Sequence, residues 1–356
     1  MATRRIRKPM MLVGATLSLP LIISACGAAP AETEANSVSV DYKACAVSGA
    51  GGWNDHSFNE QVYNGLQQAK KKLGVPVVAF ESKTADDFVP GISSLVDQGC
   101  KLVFSVGFDA NDAVNAAAAA NPEVRFVTVD GFVEDPGTTN LKAVTYKMSE
   151  SSYLAGYLAA AQSKSHTLGT FGAIQNTAIT DFMTGFFKGS QEWAKKHGTP
   201  TKVIGWEPST KTGVFVGDFS NQITAKSIAG AQLDQGADVL FPVAGPLFSA
   251  AAEAIKDTGD GATFLGVDSD VAVTTPEYKS LVLTSVEKRM TKAVEQIIGD
   301  ASKGTFDSQP YVGTLENDGT GLSPFHDFDG QVSAELRSEL DDLRTRIVSG
   351  SVETLG

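Results

Sequence analysis

The chain has 356 residues, with 41 acidic against 29 basic side chains and a net charge of −12 at pH 7. That balance excludes nucleic acid as a partner, and three cysteines in this length exclude a disulfide-dense scaffold. The roughly 315 residues after residue 40 exceed what one hydrophobic core covers, so two lobes are expected.

Arg4, Arg5, Arg7 and Lys8 precede an apolar run from Met10 to Ile23 that Pro20 interrupts, which reads as a secretory signal. The alternative is a membrane anchor, but the run is shorter than the ~20 apolar residues a bilayer span needs. Ile23-Ser24-Ala25-Cys26 resembles a bacterial lipobox, in which the cysteine is lipidated and becomes the first mature residue. Residues 1–25 are therefore read as a lipoprotein signal peptide and 26–40 as a flexible tether, small and polar without periodicity. The expectation is an extracytoplasmic protein held at the bacterial cell membrane through Cys26.

Ala44 to Ser48 reads as a strand covered on both faces. It leads into GGWNDHSFN at Gly51 to Asn59 and then into a helix whose apolar stripe is Phe58, Val62, Leu66, Ala69 and Leu73. Further strands are expected at Val75 to Phe80, Leu102 to Val106, Arg125 to Val129, Leu168 to Phe171, Val239 to Pro242 and Phe264 to Val267, alternating with helical stretches. The fold class is α/β, with two doubly wound parallel-sheet lobes. Cys45 and Cys100 both start strands of one lobe, and for them a disulfide and two buried free thiols stand as alternatives.

The chain echoes itself. DQGCKLVFSVG at Asp97 to Gly107 returns as DQGADVLFPVAG at Asp234 to Gly245, and RFVTVDG at Arg125 to Gly131 returns as TFLGVDS at Thr263 to Ser269. Aligning KKLG at Lys71 to Gly74 with KKHG at Lys195 to Gly198 sets Phe58 opposite Phe182, Tyr63 opposite Phe187 and Gly65 opposite Gly189. Equivalent loops would then face each other across an interlobe cleft.

Enzymatic signatures are thin. GAGGWN at Gly49 to Asn54, with Glu81 beyond the next strand, approaches a dinucleotide fingerprint but carries Asn54 at the third glycine, and no Walker loop is present. His56, His166, His197 and His326 are scattered, without zinc spacing, and Ser57 beside His56 lacks a nucleophile elbow. No cofactor, no metal and no catalysis are expected.

Binding candidates each have a plain alternative. Phe58 begins the apolar stripe of its helix, yet with Phe182 on the equivalent loop it could close on a flat ring. Trp53, Asn54 and Phe219 of GDFSN are further candidates in loops. Asp109 reads as a helix N-cap, and Asp112 either occupies the first turn or accepts from a sugar hydroxyl. Asp268, with Asp130 as its repeat partner, ends a strand as either a polar anchor or a turn former. Lys288 precedes a helix from Arg289 to Lys303, where a cation opposes the macrodipole and calls for a ligand or carboxylate partner.

Together GGWNDHSFNEQVYNGL, VSVGFDANDAV, VRFVTVDG, SSYLAGYLAA, DQGADVLFPVAG, FLGVDSD, VLTSVEKR and YVGTLENDGTGLSPF resemble the basic membrane lipoprotein family, the purine nucleoside receptor type of ABC transporter substrate-binding protein. The resemblance runs from about Cys45 to Phe325. It implies a type I periplasmic-binding-protein fold with a hinge between lobes at 41–147 plus 266–308 and 148–265 plus 309–356. It further implies a monomer that captures a nucleoside for ABC permease subunits, with Phe58 stacking, Asn59 as the next polar contact, and Asp112 and Asp268 as acceptors. Lys288 becomes a late basic contact, and Gly245 lies where backbone nears ligand. Departures are Gly49 where the family often has aspartate, His56 for lysine, and Pro246-Leu247-Phe248 for a glycine-threonine run. The alternatives are the same fold binding a sugar or other small polar metabolite, or acting as a ligand sensor in signalling.

Overall fold

The computed structural model describes residues 42–355; Cys26, the signal peptide and nearly all of the tether lie outside them. No helix among the described residues is long and apolar enough to cross a membrane.

Among the described residues there are ten α-helices, and fourteen strands that build two sheets and one small ribbon. The first lobe opens with β1 (Ala44–Val47), α1 (Phe58–Leu73), β2 (Val77–Phe80), α2 (Phe88–Asp97), β3 (Leu102–Val106), α3 (Asn111–Ala120), β4 (Arg125–Val129) and β5 (Leu141–Tyr146). Then come α4 (Met148–Gln162), β6 (Thr167–Gly172), α5 (Thr177–His197), β7 (Lys202–Ile204), β8 (Trp206–Glu207), β9 (Thr212–Gly213) and α6 (Gln222–Asp234). They are followed by β10 (Val239–Val243), α7 (Phe248–Thr258), β11 (Thr263–Asp268), α8 (Val271–Thr274) and β12 (Val282–Lys288). The chain ends with α9 (Met290–Ser302), β13 (Tyr311–Gly313), β14 (Thr320–Leu322) and α10 (Ala334–Val348).

The first sheet has the order β13-β5-β4-β3-β1-β2 and is parallel throughout. The second has the order β14-β12-β11-β10-β6-β7 and is parallel except for β14. Helices on both faces force near-complete burial of the inner strands: every residue of β1, β3 and β10 is buried. The fold is therefore α/β with two doubly wound sheets. Strand β8 pairs with β9 as a separate antiparallel ribbon.

The chain crosses between the sheets after β5, after β12 and between β13 and β14. This moves the expected boundaries: β11 and β12 (263–288) belong wholly to the second sheet, and β13 (311–313) returns to the first. The strand VLTSVEK is an inner one, paired with β11 on one side and β14 on the other. Its composition does not say which sheet it joins.

The internal echo has a packing counterpart. A Cβ on Gly65 of α1 would sit 2.6 Å from Val294 Cβ of α9, and one on Gly189 of α5 would sit 1.9 Å from the Tyr153 carbonyl of α4. Glycine at both equivalent positions lets a crossing helix approach closely. Helix α4, closely packed against α5, is buried over most of its circumference and so has almost no amphipathic stripe.

Of the two alternatives for Cys45 and Cys100, the structure has the disulfide, which ties β1 to the turn between α2 and β3. Phe248, a departure from the family pattern, is buried in the core with its ring parallel to Phe264 at 6.2 Å.

Candidate functional site

The start of α1 is held by a carboxylate that the sequence reading passed over. Asp55 accepts hydrogen bonds from the backbone N–H groups of Ser57 (3.0 Å), Asn59 (2.9 Å) and Glu60 (3.1 Å), satisfying donors that a helix N-terminus leaves free. The Asn59 side chain donates to the same carboxylate at 3.0 Å and accepts from Gly49 N–H at 2.8 Å. Asn59 is thus a clasp that closes the loop from 49 to 59. A Cβ at Gly49 would lie 3.1 Å from Asn59 Oδ1 and 3.2 Å from the Val106 carbonyl, so the clasp and the small residue go together.

This helix start meets the second lobe. Ser57 Oγ donates to Asp268 Oδ2 at 2.8 Å, and Ser269 Oγ donates to the His56 carbonyl at 2.8 Å. Asp268 ends β11 with φ 65°, and its repeat partner Asp130, just past β4, has φ 59°. Both adopt the left-handed backbone that aspartate tolerates better than most residues. The Asp130 carboxylate pairs with Lys288 at the end of β12, again across the lobes. Each strand-end aspartate is therefore held by the opposite lobe.

Lys288 is 4 % exposed, and its ammonium lies 5.1 Å from the ring centroid of Phe58, 5.5 Å from Phe182 and 5.7 Å from Tyr146. At those distances a cation is attracted by each ring face. Burial pushes the Asp268 carboxyl up to about 6, against the opposing pull of Lys288 and the Ser57 hydrogen bond. The result is two carboxylates that accept hydrogen bonds, one ammonium that donates, and aromatic surface from both lobes. No group of three or more His, Cys, Asp or Glu among the described residues converges to hold a metal ion.

Of the sequence candidates, Phe58, Phe182, Asp268 and Lys288 meet in this cluster. Asp130 and Tyr146 belong to it geometrically and were not put forward as binding residues, although Asp130 was marked by the echo. Phe182 is also a core residue, 2 % exposed and 6.4 Å from Phe241. Asn54 and Asp112 are exposed. Asp109 does not cap α3: a single 3-10 turn at Phe108–Ala110 intervenes, and the helix begins at Asn111. Trp53 packs on Tyr63 of α1 at 5.7 Å. Phe219 lies beside Gly245, where a Cβ would be 3.5 Å from its ring and φ is 53°. A separate groove of about 730 Å³ runs along α5 past Asp181, the repeat equivalent of Ser57, and the β8–β9 ribbon.

The family model described as ABC transporter substrate-binding protein PnrA-like matches residues 43–353. The chain is 31 % identical to the ABC transporter nucleoside-binding protein BmpA of Lactococcus lactis subsp. cremoris, over 97 % of this chain and 98 % of that one. It is 28 % identical to basic membrane protein A of Borreliella burgdorferi, over 85 % and 84 % of the two chains. In fold it is similar to the crystal structure of an ABC transporter solute-binding protein from Aeropyrum pernix K1, with a TM-score of 0.75, 21 % identity, and 88 % and 92 % of the chains covered. A two-lobed receptor geometry and a match across nearly all the described residues lead to one conclusion: the chain belongs to the PnrA-like family of ABC transporter substrate-binding proteins.

Proposed function

We propose that the protein captures a nucleoside, most specifically a purine nucleoside, between its lobes and delivers it to an ABC permease without transforming it. The supporting observation is the interlobe cluster: Asp130 and Asp268 from equivalent strand ends, Lys288 between them in charge, and Phe58 and Phe182 from equivalent helices. Carboxylates accept two hydroxyls at once, as a ribose presents them, and aromatic contacts add ~0.5–1.5 kcal/mol beyond area burial. The nucleoside-binding name of the Lactococcus relative points the same way. Because both aspartates are held from the opposite lobe, a ligand that touches them stabilises the closed arrangement, which is hinge closure by population shift. Lipidation of Cys26 keeps the receptor beside its permease, and the domain acts as a monomer.

Thermal-shift measurements with adenosine, guanosine, inosine, cytidine and uridine against free pentoses test the ligand class. Stabilisation by nucleosides, purines foremost, is expected. Stabilisation by pentoses and by no nucleoside sinks the reading in favour of a sugar receptor. For the anchor, labelled palmitate should enter the wild-type chain and not Cys26→Ala; equal labelling of the two contradicts it.

A further inference from the structure

Tyr146 is the last residue of β5, where the chain first leaves one lobe for the other. Its ring lies over Gly313 of the neighbouring strand, where a Cβ would come within 2.2 Å of Tyr146 Cδ1, and edge-on to Tyr311 at 6.0 Å. It packs against the cores of both lobes. The Lys288 ammonium stands 5.7 Å from its centroid. The hydroxyl is buried and has no hydrogen-bond partner among the described residues.

A buried hydroxyl without a partner is costly, and phenylalanine would fill the same space without that cost. The other polar groups of the cluster are engaged: Asp268 with Ser57, and Asp130 with Lys288. Burial, with Tyr311 and Asp130 adding to it, holds the phenol proton well above its ordinary range, so the group is a neutral donor at any physiological pH. We propose that the Tyr146 hydroxyl is a ligand contact on the hinge floor, donating to an uncharged oxygen or nitrogen acceptor of the captured nucleoside. The inference rests on the nucleoside reading above and adds a residue to it. It gives the site a neutral donor, which neither the carboxylates nor the ammonium supplies.

The test is Tyr146→Phe, titrated calorimetrically with whichever of adenosine, guanosine, inosine, cytidine and uridine binds the wild type most tightly. Affinity should fall about ten-fold while the ligand-free melting temperature stays level or rises. Unchanged affinity overturns the contact while leaving the nucleoside reading intact. A parallel fall in melting temperature and affinity makes the hydroxyl structural and overturns it too. If the wild type binds none of the five, the functional reading itself fails and the contact fails with it.

Discussion

The two lobes share one plan and lock it differently. In the first, β1 and the turn before β3 are joined covalently through Cys45–Cys100, and the start of α1 is gathered by Asp55. In the second no disulfide is present among the described residues. There α5 is capped by Asn176, which accepts from Ile179 N–H at 2.9 Å, and is pressed to α4 through Gly185 and Gly189. The strand-end aspartates diverge in the same way: Asp130 faces an ammonium, Asp268 a hydroxyl. A repeated scaffold position thus holds one carboxylate paired with an ammonium and another that burial pushes up to about 6. Backbone geometry is inherited from the repeat, whereas the partner that arrives from the other lobe differs, and at Asp268 burial outweighs it.

Removing the cation should have the largest effect. Lys288→Met leaves the largely covered Asp130 carboxylate, 13 % exposed, without its partner, for which a loss of about 3 kcal/mol is expected in urea unfolding, with ligand affinity abolished. A variant as stable as wild type would show that Asp130 is solvated. Next, Cys45→Ser with Cys100→Ser should cost about 2–4 kcal/mol. Hydrogen exchange should place the loosening in β1 to β3, and uniform loosening across both lobes contradicts the asymmetry.

The pH response follows from Asp268. Its folded pKa is raised from 3.8 to about 6, so the folded chain holds this proton more tightly than the unfolded one. Its contribution to stability is present below about pH 4 and is lost as pH rises through 6, on the order of 3 kcal/mol in all. Asp268→Asn should flatten that part of the stability profile, and wild-type ligand affinity should weaken as pH falls below 6. Identical profiles for the two proteins argue against a buried carboxyl. Smallest is Phe58→Ala, with affinity falling by ~1–3 kcal/mol and the fold intact, since this ring is only partly buried. The same change at Phe182 should cost stability as well, because that ring sits in the core.

The inner strands were legible because burial on both faces leaves short apolar runs, and Leu102–Val106 and Arg125–Val129 match residue for residue. The return point between lobes was not, since β12 carries no mark of which sheet it completes. In the cluster, Lys288 and Asp268 could be found by asking why a cation precedes a helix and why a strand-end aspartate recurs. Asn59 was expected as a ligand contact from the family resemblance alone, and nothing in its sequence surroundings signals that its amide bonds Gly49 and Asp55. Tyr146 gave no signal, since it ends β5 (Leu141–Tyr146), which is not among the strands expected from the sequence.

Equilibrium dialysis of the purified domain with labelled guanosine tests the central claim most directly. The account predicts saturable retention, one guanosine per chain, displaced by other purine nucleosides and untouched by excess ribose or arabinose. Absence of retention, or displacement by the pentoses, would contradict it.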